Sequence, residues 1–332
     1  MISSQVLNRA SEFQKSFQTA IPFRHMAIDG FLQPEACESL LIDFPVFDPS
    51  KAINEMGEVG RKAVFEDVAA ISPFYSQFYQ YINSQEFLDA ISALTGVPDL
   101  IADPTLYGGG THENLDGQYL DVHVDFNIDE GRMLHRRLNV LVYLNKEWED
   151  TWGGLVELHS NPRKPEVNEV KSFAPLFNRA VIFETNEYSW HGFETVRLPE
   201  DRKHLSRKSF SIYLYTKDRP AEEAVAPHTT FYLSRPLPKD IQADKTLSVE
   251  DVQNLRNLLN SRDGLLEMYQ KLLVEKEQRL RNFMRIHQEM PASGDMPSYD
   301  VILASRSWRW VMALHRIKNR LMSAARHLGL RS

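Results

Sequence analysis

Cysteine is almost absent from this sequence, because Cys37 is the only one in 332 residues. A single cysteine excludes an intramolecular disulfide framework and every cysteine-rich zinc fold. The chain also has no run of about 18 apolar residues, the length that a membrane-spanning helix requires. Its first residues lack the apolar core of a signal peptide. We therefore expect a cytoplasmic protein, with peripheral contact to a membrane left open.

Charge is distributed unevenly along the chain. The formal net charge is −7, yet residues 303–332 contain seven arginine or lysine residues and no acidic residue. The acidic remainder argues against nucleic acid as a partner. The basic end, which includes Trp308 and Trp310, is either an exposed solvated helix or an anchor for a membrane surface or a partner.

Short apolar runs separated by turn residues dominate from about residue 100 to residue 216. This pattern predicts many short strands in a sandwich or barrel. Prolines then recur between Pro220 and Pro238, which indicates a linker. We predict a mainly β domain with N-terminal helices over residues 1–235 and a helical tail over residues 236–332.

The predicted tail has apolar residues near helical spacing with charged residues between them. They are Val252, Leu255, Leu259, Leu266, Leu273, Leu280 and Phe283. The pattern predicts a long amphipathic helix or a short coiled coil, interrupted around Arg262 to Gly264. Such a helix would self-associate, lie on a membrane or pack against the β domain.

The stretch HVDFN contains a candidate metal site. His123 and Asp125 are two residues apart, so in a strand both side chains point to one face. A histidine followed two residues later by an acidic residue is weak evidence alone, because His287 and Glu289 have the same spacing inside the predicted tail helix. Iron(II) that activates oxygen needs two imidazoles and one carboxylate, with the other positions left open. His191, which follows the predicted strand RAVIFET, can supply the second imidazole.

A second candidate site lies in the run SRKSFSIYLYT. Here Arg207, Ser209, Ser211 and Tyr213 alternate with apolar residues and share one face of a predicted strand. An unpaired buried guanidinium is costly, so Arg207 is unusual on an interior face. It suits a dicarboxylate ligand, whose far carboxylate needs a two-pronged partner.

Four motifs in order carry a family resemblance: HVDFN, RRLNVLVYLNKEWEDTWGGLVELHS, NRAVIFETNEYSWHGFETV and RKSFSIYLYT. Over about residues 22 to 216 the chain resembles the iron(II)- and 2-oxoglutarate-dependent dioxygenases, in particular the prolyl 4-hydroxylase-like branch. The resemblance implies a double-stranded β-helix, or jelly roll, for the catalytic domain. It also implies Fe(II), 2-oxoglutarate and O2 as cofactors, with ascorbate left open as an accessory reductant.

The resemblance further assigns roles to individual residues. His123, Asp125 and His191 match the metal ligands, and Arg207 and Tyr143 match the residues that bind the far carboxylate of 2-oxoglutarate. Tyr107 lies near a further cofactor-binding tyrosine of the family. The interval between His191 and Arg207 is longer than usual, so Arg197 and Lys208 are kept as alternatives to Arg207.

These assignments predict a hydroxylase, but they leave its substrate open. The stretch YDVILASRSWRWVMALHRIKNRL resembles segments that end some bacterial enzymes of cell-surface polysaccharide synthesis. This favours a sugar or glycan of such a pathway as the substrate. A prolyl or other protein residue is the alternative substrate, and a non-catalytic scaffold with a β-helix module is the alternative function.

Overall fold

The protein is described by a computed structural model that covers residues 1–49, 63–221, 223–234, 237 and 241–289. The chain divides into two compact units, Met1–Tyr269 and Gln270–Ser332. The predicted domain boundary at residues 235/236 stays a prediction, and it lies outside the described residues. The basic stretch with Trp308 and Trp310 lies outside them as well.

The N-terminal third is mainly helical. Its elements are α1 (Ser4–Leu7), α2 (Ala10–Thr19), β1 (His25–Asp29), α3 (Pro34–Ile42), β2 (Ala63–Phe65), α4 (Pro73–Ile82) and α5 (Gln85–Thr95). Proline opens both α3 and α4, where its missing N–H removes no helical hydrogen bond. The side chains of Ser72 and Ser84 accept hydrogen bonds from the first turns of α4 and α5.

The middle of the chain is almost entirely β. The strands are β3 (Gly110–Asn114), β4 (Leu120–Val124), β5 (Ile128–Asp129), β6 (Leu134–Tyr143), β7 (Val156–His159), β8 (Val170–Phe173), β9 (Arg179–Glu184), β10 (Trp190–Phe193), β11 (Arg207–Thr216) and β12 (Phe231–Tyr232). The major sheet has the order β1-β9-β6-β11-β3-β2, with β5 beside β6, and the minor sheet has the order β12-β4-β10-β7-β8. Neighbours in each sheet are antiparallel, and the interleaved order is that of the predicted double-stranded β-helix.

Alternation along the strands separates two cores. Phe210, Ile212 and Leu214 on β11 pack with residues of the helices, and Phe78 of α4 meets the ring of Phe210 edge-on at 5.0 Å. Tyr143 and other residues on the opposite face pack against Leu158 of the minor sheet. The helices therefore cover one face of the major sheet, and the minor sheet covers the other.

The last described element is α6 (Val249–Glu289). The predicted interruption at Arg262 to Gly264 is wrong, because the helix is continuous there. Glycine costs a helix about 1 kcal/mol relative to alanine, and packing next to it offsets that cost, since Leu265 is buried. His287 and Glu289 lie within this helix. Among the described residues, no helix is both long and apolar enough to cross a membrane.

Candidate metal centre and cosubstrate site

Two neighbouring strands of the minor sheet bring the candidate metal ligands together. His123 of β4 is paired directly with His191 of β10, and Asp125 follows the end of β4. One ligand atom from each of the three side chains lies within 4.8 Å of the other two. The residues that are separated by 68 positions in the sequence thus form one cluster.

Both imidazoles are oriented by backbone carbonyls. His123 Nδ1 lies 2.8 Å from the oxygen of Asp121, and His191 Nδ1 lies 2.9 Å from that of Ser189. A ring nitrogen that faces a carbonyl must carry the hydrogen, so Nε2 carries the lone pair of each neutral ring. The two Nε2 atoms lie 3.7 and 3.5 Å from the carboxylate of Asp125. This donor set fits a divalent metal ion of the iron(II) class.

The protonation states also fit metal binding. Burial alone would raise the pKa of Asp125, but the charges of Arg136, His191 and His123 and a hydrogen bond from Asn139 hold that pKa well below its ordinary value. Burial lowers the pKa of His191, despite the opposing charge of Asp125. At neutral pH the cluster therefore offers a carboxylate and a neutral imidazole, the forms that bind metal.

Two polar residues of β6, which the sequence reasoning missed, hold Asp125 in place. Arg136 Nη2 lies 3.0 Å from Asp125 Oδ2, and Asn139 donates a hydrogen bond of 2.8 Å to the same oxygen. Arg136 also donates to Asn139 Oδ1, and its guanidinium lies 3.7 Å from the ring centroid of Tyr213. Arg136 is 2% exposed. These contacts immobilise one oxygen of the carboxylate.

Strand alternation could have identified Asn139 but not Arg136. Asn139 shares a face with Tyr143, and continued alternation would place Arg137 on that face. The pairing of β6 with β11 shifts by one residue at this point, where Leu214 faces Leu138 and Tyr215 faces Arg136. A bulge of this kind changes which face of the sheet the side chains beyond it point to, here those on the N-terminal side of the bulge. Arg137 instead pairs with Glu184 and Glu223.

Arg207 and Tyr143 form a polar pair between the sheets. Arg207 is 4% exposed and donates to the Gly154 oxygen at 2.6 Å and to the Tyr143 hydroxyl at 3.0 Å. Its guanidinium also lies over the ring of Phe193 at 4.1 Å. Within the described residues, no carboxylate lies within ion-pair distance of Arg207. Burial lowers the pKa of Arg207 and raises the pKa of Tyr143, because the buried surroundings disfavour the charged form of each group.

An uncompensated buried cation favours an anionic ligand. A buried charge is stable only when it is paired and hydrogen-bonded, and Arg207 lacks an acidic partner in the described part of the chain. Tyr143 accepts from Arg207 and keeps its own hydrogen to donate. The pair therefore fits one end of a dicarboxylate such as 2-oxoglutarate.

The remaining sequence candidates lie elsewhere. Arg197 is exposed, and Lys208 points to the other face of β11, where it pairs with Glu113 at 2.8 Å. Tyr107 is 66% exposed, and its ring meets Phe126 at 6.0 Å. The assignment of Tyr107 to cofactor binding stays a prediction. His112 of β3, which sequence reasoning did not single out, is buried and lies 3.0 Å from the Ser211 hydroxyl.

Residues 109–215 match the family model of the 2OG-Fe(II) oxygenase superfamily. The chain carries a 2OG-Fe(II) oxygenase domain. The matched segment contains the three candidate metal ligands together with Tyr143 and Arg207. The oxygenase domain makes the protein a 2-oxoglutarate-dependent dioxygenase, and its cofactors are iron(II) and 2-oxoglutarate. No curated protein matches the sequence.

Similar solved structures include prolyl hydroxylases. One is a Trichoplax adhaerens prolyl hydroxylase in complex with a peptide fragment of the hypoxia inducible factor oxygen degradation domain. The two sequences are 16% identical, the match covers 64% of this chain and 91% of that chain, and the TM-score is 0.45. Another is a Pseudomonas putida prolyl-4-hydroxylase, at 14% identity, 63% and 99% coverage and a TM-score of 0.39. HygX from Streptomyces hygroscopicus, with nickel, 2-oxoglutarate and hygromycin B bound, has 13% identity, 62% and 91% coverage and a TM-score of 0.39.

Proposed function

We propose that the protein hydroxylates a C–H bond of its substrate at an iron(II) ion held by His123, Asp125 and His191. The observation that carries the proposal is the placement of these oriented ligands between the same two sheets as the uncompensated Arg207. When bound, iron(II) would supply the activation of O2, one atom of which is used to decarboxylate 2-oxoglutarate oxidatively to succinate and carbon dioxide while the other is transferred to the substrate C–H bond.

The protein's own residues position these groups. Arg207 and Tyr143 would hold the far carboxylate of 2-oxoglutarate, so that its keto acid end faces the metal ligands. Phe183 and Leu158 belong to the apolar cluster between the sheets, and Phe183 meets the His191 ring at 4.7 Å. These apolar walls would exclude water, which strengthens the electrostatic contacts inside.

Alanine substitutions of the three ligands test the reaction. His123→Ala, Asp125→Ala and His191→Ala should each abolish metal binding and succinate formation from 2-oxoglutarate, because each removes one of three protein ligands. His204→Ala is the matched control, since His204 is exposed on a loop. Wild-type succinate formation by any ligand variant would refute the assignment. Absence of metal binding and turnover in the wild type would favour the scaffold alternative.

We further propose that the substrate is a sugar or glycan of a surface polysaccharide pathway. Support comes from the outer side of the site, where Phe126 follows Asp125 and its ring meets the exposed ring of Tyr107. Arg136 lies 4.7 Å from the ring centroid of Phe126. Aromatic faces of this kind are suited to the apolar C–H faces of a sugar ring. A proline-containing peptide is the alternative.

A direct comparison separates the two substrate classes. The iron-loaded protein is incubated with sugar nucleotides, glycans and proline peptides, and each product is examined by mass spectrometry for the gain of one oxygen atom. We expect oxygen gain on a carbohydrate that is coupled to succinate formation and is lost in His191→Ala. Oxygen gain only on proline peptides would establish the alternative.

We also propose that α6 self-associates through a leucine stripe formed by Leu259, Leu266 and Leu273. These three residues are 59–63% exposed and are spaced at intervals of seven. A seven-residue apolar repeat matches the period of two helices that coil around each other. We therefore favour a second copy of this chain, rather than a membrane surface, as the partner of the stripe. We propose that this association occurs in the cytoplasm.

A further inference from the structure

The strand β12 lies outside the family-matched segment, yet it forms the wall beside a metal ligand. Tyr232 is paired with His123, and Leu233 N donates to the Val122 oxygen at 2.7 Å. The ring of Tyr232 lies 5.1 Å from the His123 imidazole, centroid to centroid, with 32° between the planes. The β12 strand thus covers one side of the candidate iron centre.

Helix α6 reaches the same strand. The backbone N–H of Tyr232 donates a hydrogen bond of 2.9 Å to the hydroxyl of Tyr269, a residue 37 positions later. In an antiparallel edge strand, alternate N–H groups point away from the neighbour, and Tyr269 satisfies one of them. Leu265, one helical turn earlier, is 6% exposed. This part of α6 is therefore packed, in contrast to the leucine stripe.

We infer that Tyr269 is a positioning residue for the iron centre. Its hydroxyl holds the backbone of β12, and β12 in turn holds the Tyr232 ring against His123. The helical segment up to Tyr269 is then a working part of the metal site, although it lies beyond the oxygenase match. This inference rests on the proposed iron site, and it adds residues that act through a ligand rather than on the metal.

The tyrosine hydroxyl offers a conservative test. Tyr269→Phe keeps the ring and removes the hydroxyl that accepts the hydrogen bond from the Tyr232 N–H. Tyr81→Phe is a matched control, because the Tyr81 hydroxyl accepts a hydrogen bond of 3.1 Å from the backbone N–H of Ile2. Both variants lose the same chemical contact, but only one loses it beside the metal ligands.

The measurements use the full-length protein and Co(II) as the probe metal. In Tyr269→Phe we expect faster hydrogen exchange of the Tyr232 amide and about 3- to 10-fold weaker Co(II) binding, the change that loss of one hydrogen bond supports. We also expect a shift of the Co(II) absorption bands, which report ligand geometry. In Tyr81→Phe the Co(II) affinity and the bands should equal those of the wild type.

A substitution at Tyr232 tests the contribution of its ring directly. Tyr232→Leu removes the ring over His123 and should weaken Co(II) binding to a similar degree. If Tyr269 acts through Tyr232, the double variant should lose little more affinity than the weaker-binding single variant. Unchanged Co(II) affinity in Tyr269→Phe, or fully additive losses, would overturn the inference while leaving the iron site intact. A wild-type protein that binds no Co(II) would instead overturn the proposed function as well.

Discussion

At the scale of single residues, the site depends on side chains that constrain one another. Asp125 is fixed at Oδ2 by Arg136 and Asn139, and both histidines are fixed through Nδ1 by carbonyl oxygens. Such supporting contacts set the position and protonation state of metal ligands. Each of the three proposed metal ligands is therefore held by neighbouring groups that do not themselves belong to the ligand set.

Asn139 provides a test of this support that does not change the charge. We expect Asn139→Leu to weaken metal binding by about 10- to 100-fold, the usual effect of losing a partner behind a ligand. Asn83→Ala is the control, because Asn83 bonds only the end of α4. Titration with Co(II) measures the effect, and equal affinities of Asn139→Leu and wild type would contradict the prediction.

Arg207 should govern cosubstrate affinity and leave metal affinity unchanged. A hydrogen bond to a charged group contributes about 1.5–3 kcal/mol, so Arg207→Ala should weaken 2-oxoglutarate binding by about 10- to 150-fold. Arg207→Lys should restore part of this loss, because a point charge cannot form a two-pronged contact.

The control for this prediction is Arg197→Ala, which removes an exposed arginine on the neighbouring segment. Two affinities are measured for all three variants: that of the Co(II)-loaded protein for 2-oxoglutarate, and that of the protein for Co(II) in the absence of 2-oxoglutarate. Loss of 2-oxoglutarate binding in Arg197→Ala but not in Arg207→Ala would show that the wrong arginine was assigned.

At the scale of secondary structure elements, register and packing decide what the local pattern leaves open. The bulge in β6 places Arg136, rather than Arg137, beside Asp125. In α6, the Arg-Asp-Gly sequence at residues 262–264 does not end the helix, because the neighbouring Leu265 is buried. Tertiary contacts thus override two local signals.

Alanine substitutions at two glycines should have opposite effects on the stability of the protein, and together they test the continuity of α6. Gly264 lies inside the helix, so Gly264→Ala should stabilise the protein by about 0.5–1 kcal/mol. Gly30 has a φ of +65° in the turn after β1, where alanine is strained, so Gly30→Ala should destabilise it. Denaturant unfolding measures both, and no stabilisation by Gly264→Ala would indicate a break in the helix.

At the scale of the whole molecule, the chain joins an oxygenase domain to a long helix. Within the Met1–Tyr269 unit the helix contacts β12, and Leu259 and Leu266 on the same helix are exposed. The same helix therefore has one packed face and one exposed apolar face. Exposed apolar patches commonly mark contact surfaces for other proteins or for membranes, which is the physical basis of the proposed self-association.

Substitution of the leucine stripe tests the proposed self-association. We expect the full chain to sediment as a dimer or larger species, and the triple variant Leu259→Gln, Leu266→Gln, Leu273→Gln to sediment as a monomer with unchanged metal binding. Anionic vesicles are included in a parallel experiment. Monomeric wild type that co-sediments with vesicles in a salt-sensitive manner would show that a membrane covers the tail.

The sequence alone determined the features that depend on short range order. Alternation put His123 with Asp125 and Arg207 with Tyr213 on common faces, because side chains in a strand repeat every two residues. The short apolar runs predicted the β fold, and the leucine spacing predicted a long helix in the tail.

Only the tertiary structure decided which distant residues meet. The pairing of His191 with His123, the shift that selects Arg136, the burial of Arg207 and the contact of Tyr269 with Tyr232 depend on strand register and on chain segments far apart in sequence. Register is set by the packing of both sheets together, and a shift of one residue reverses the face of every side chain that follows it. Local patterns therefore could identify the chemical groups, whereas the fold assembled them into a site.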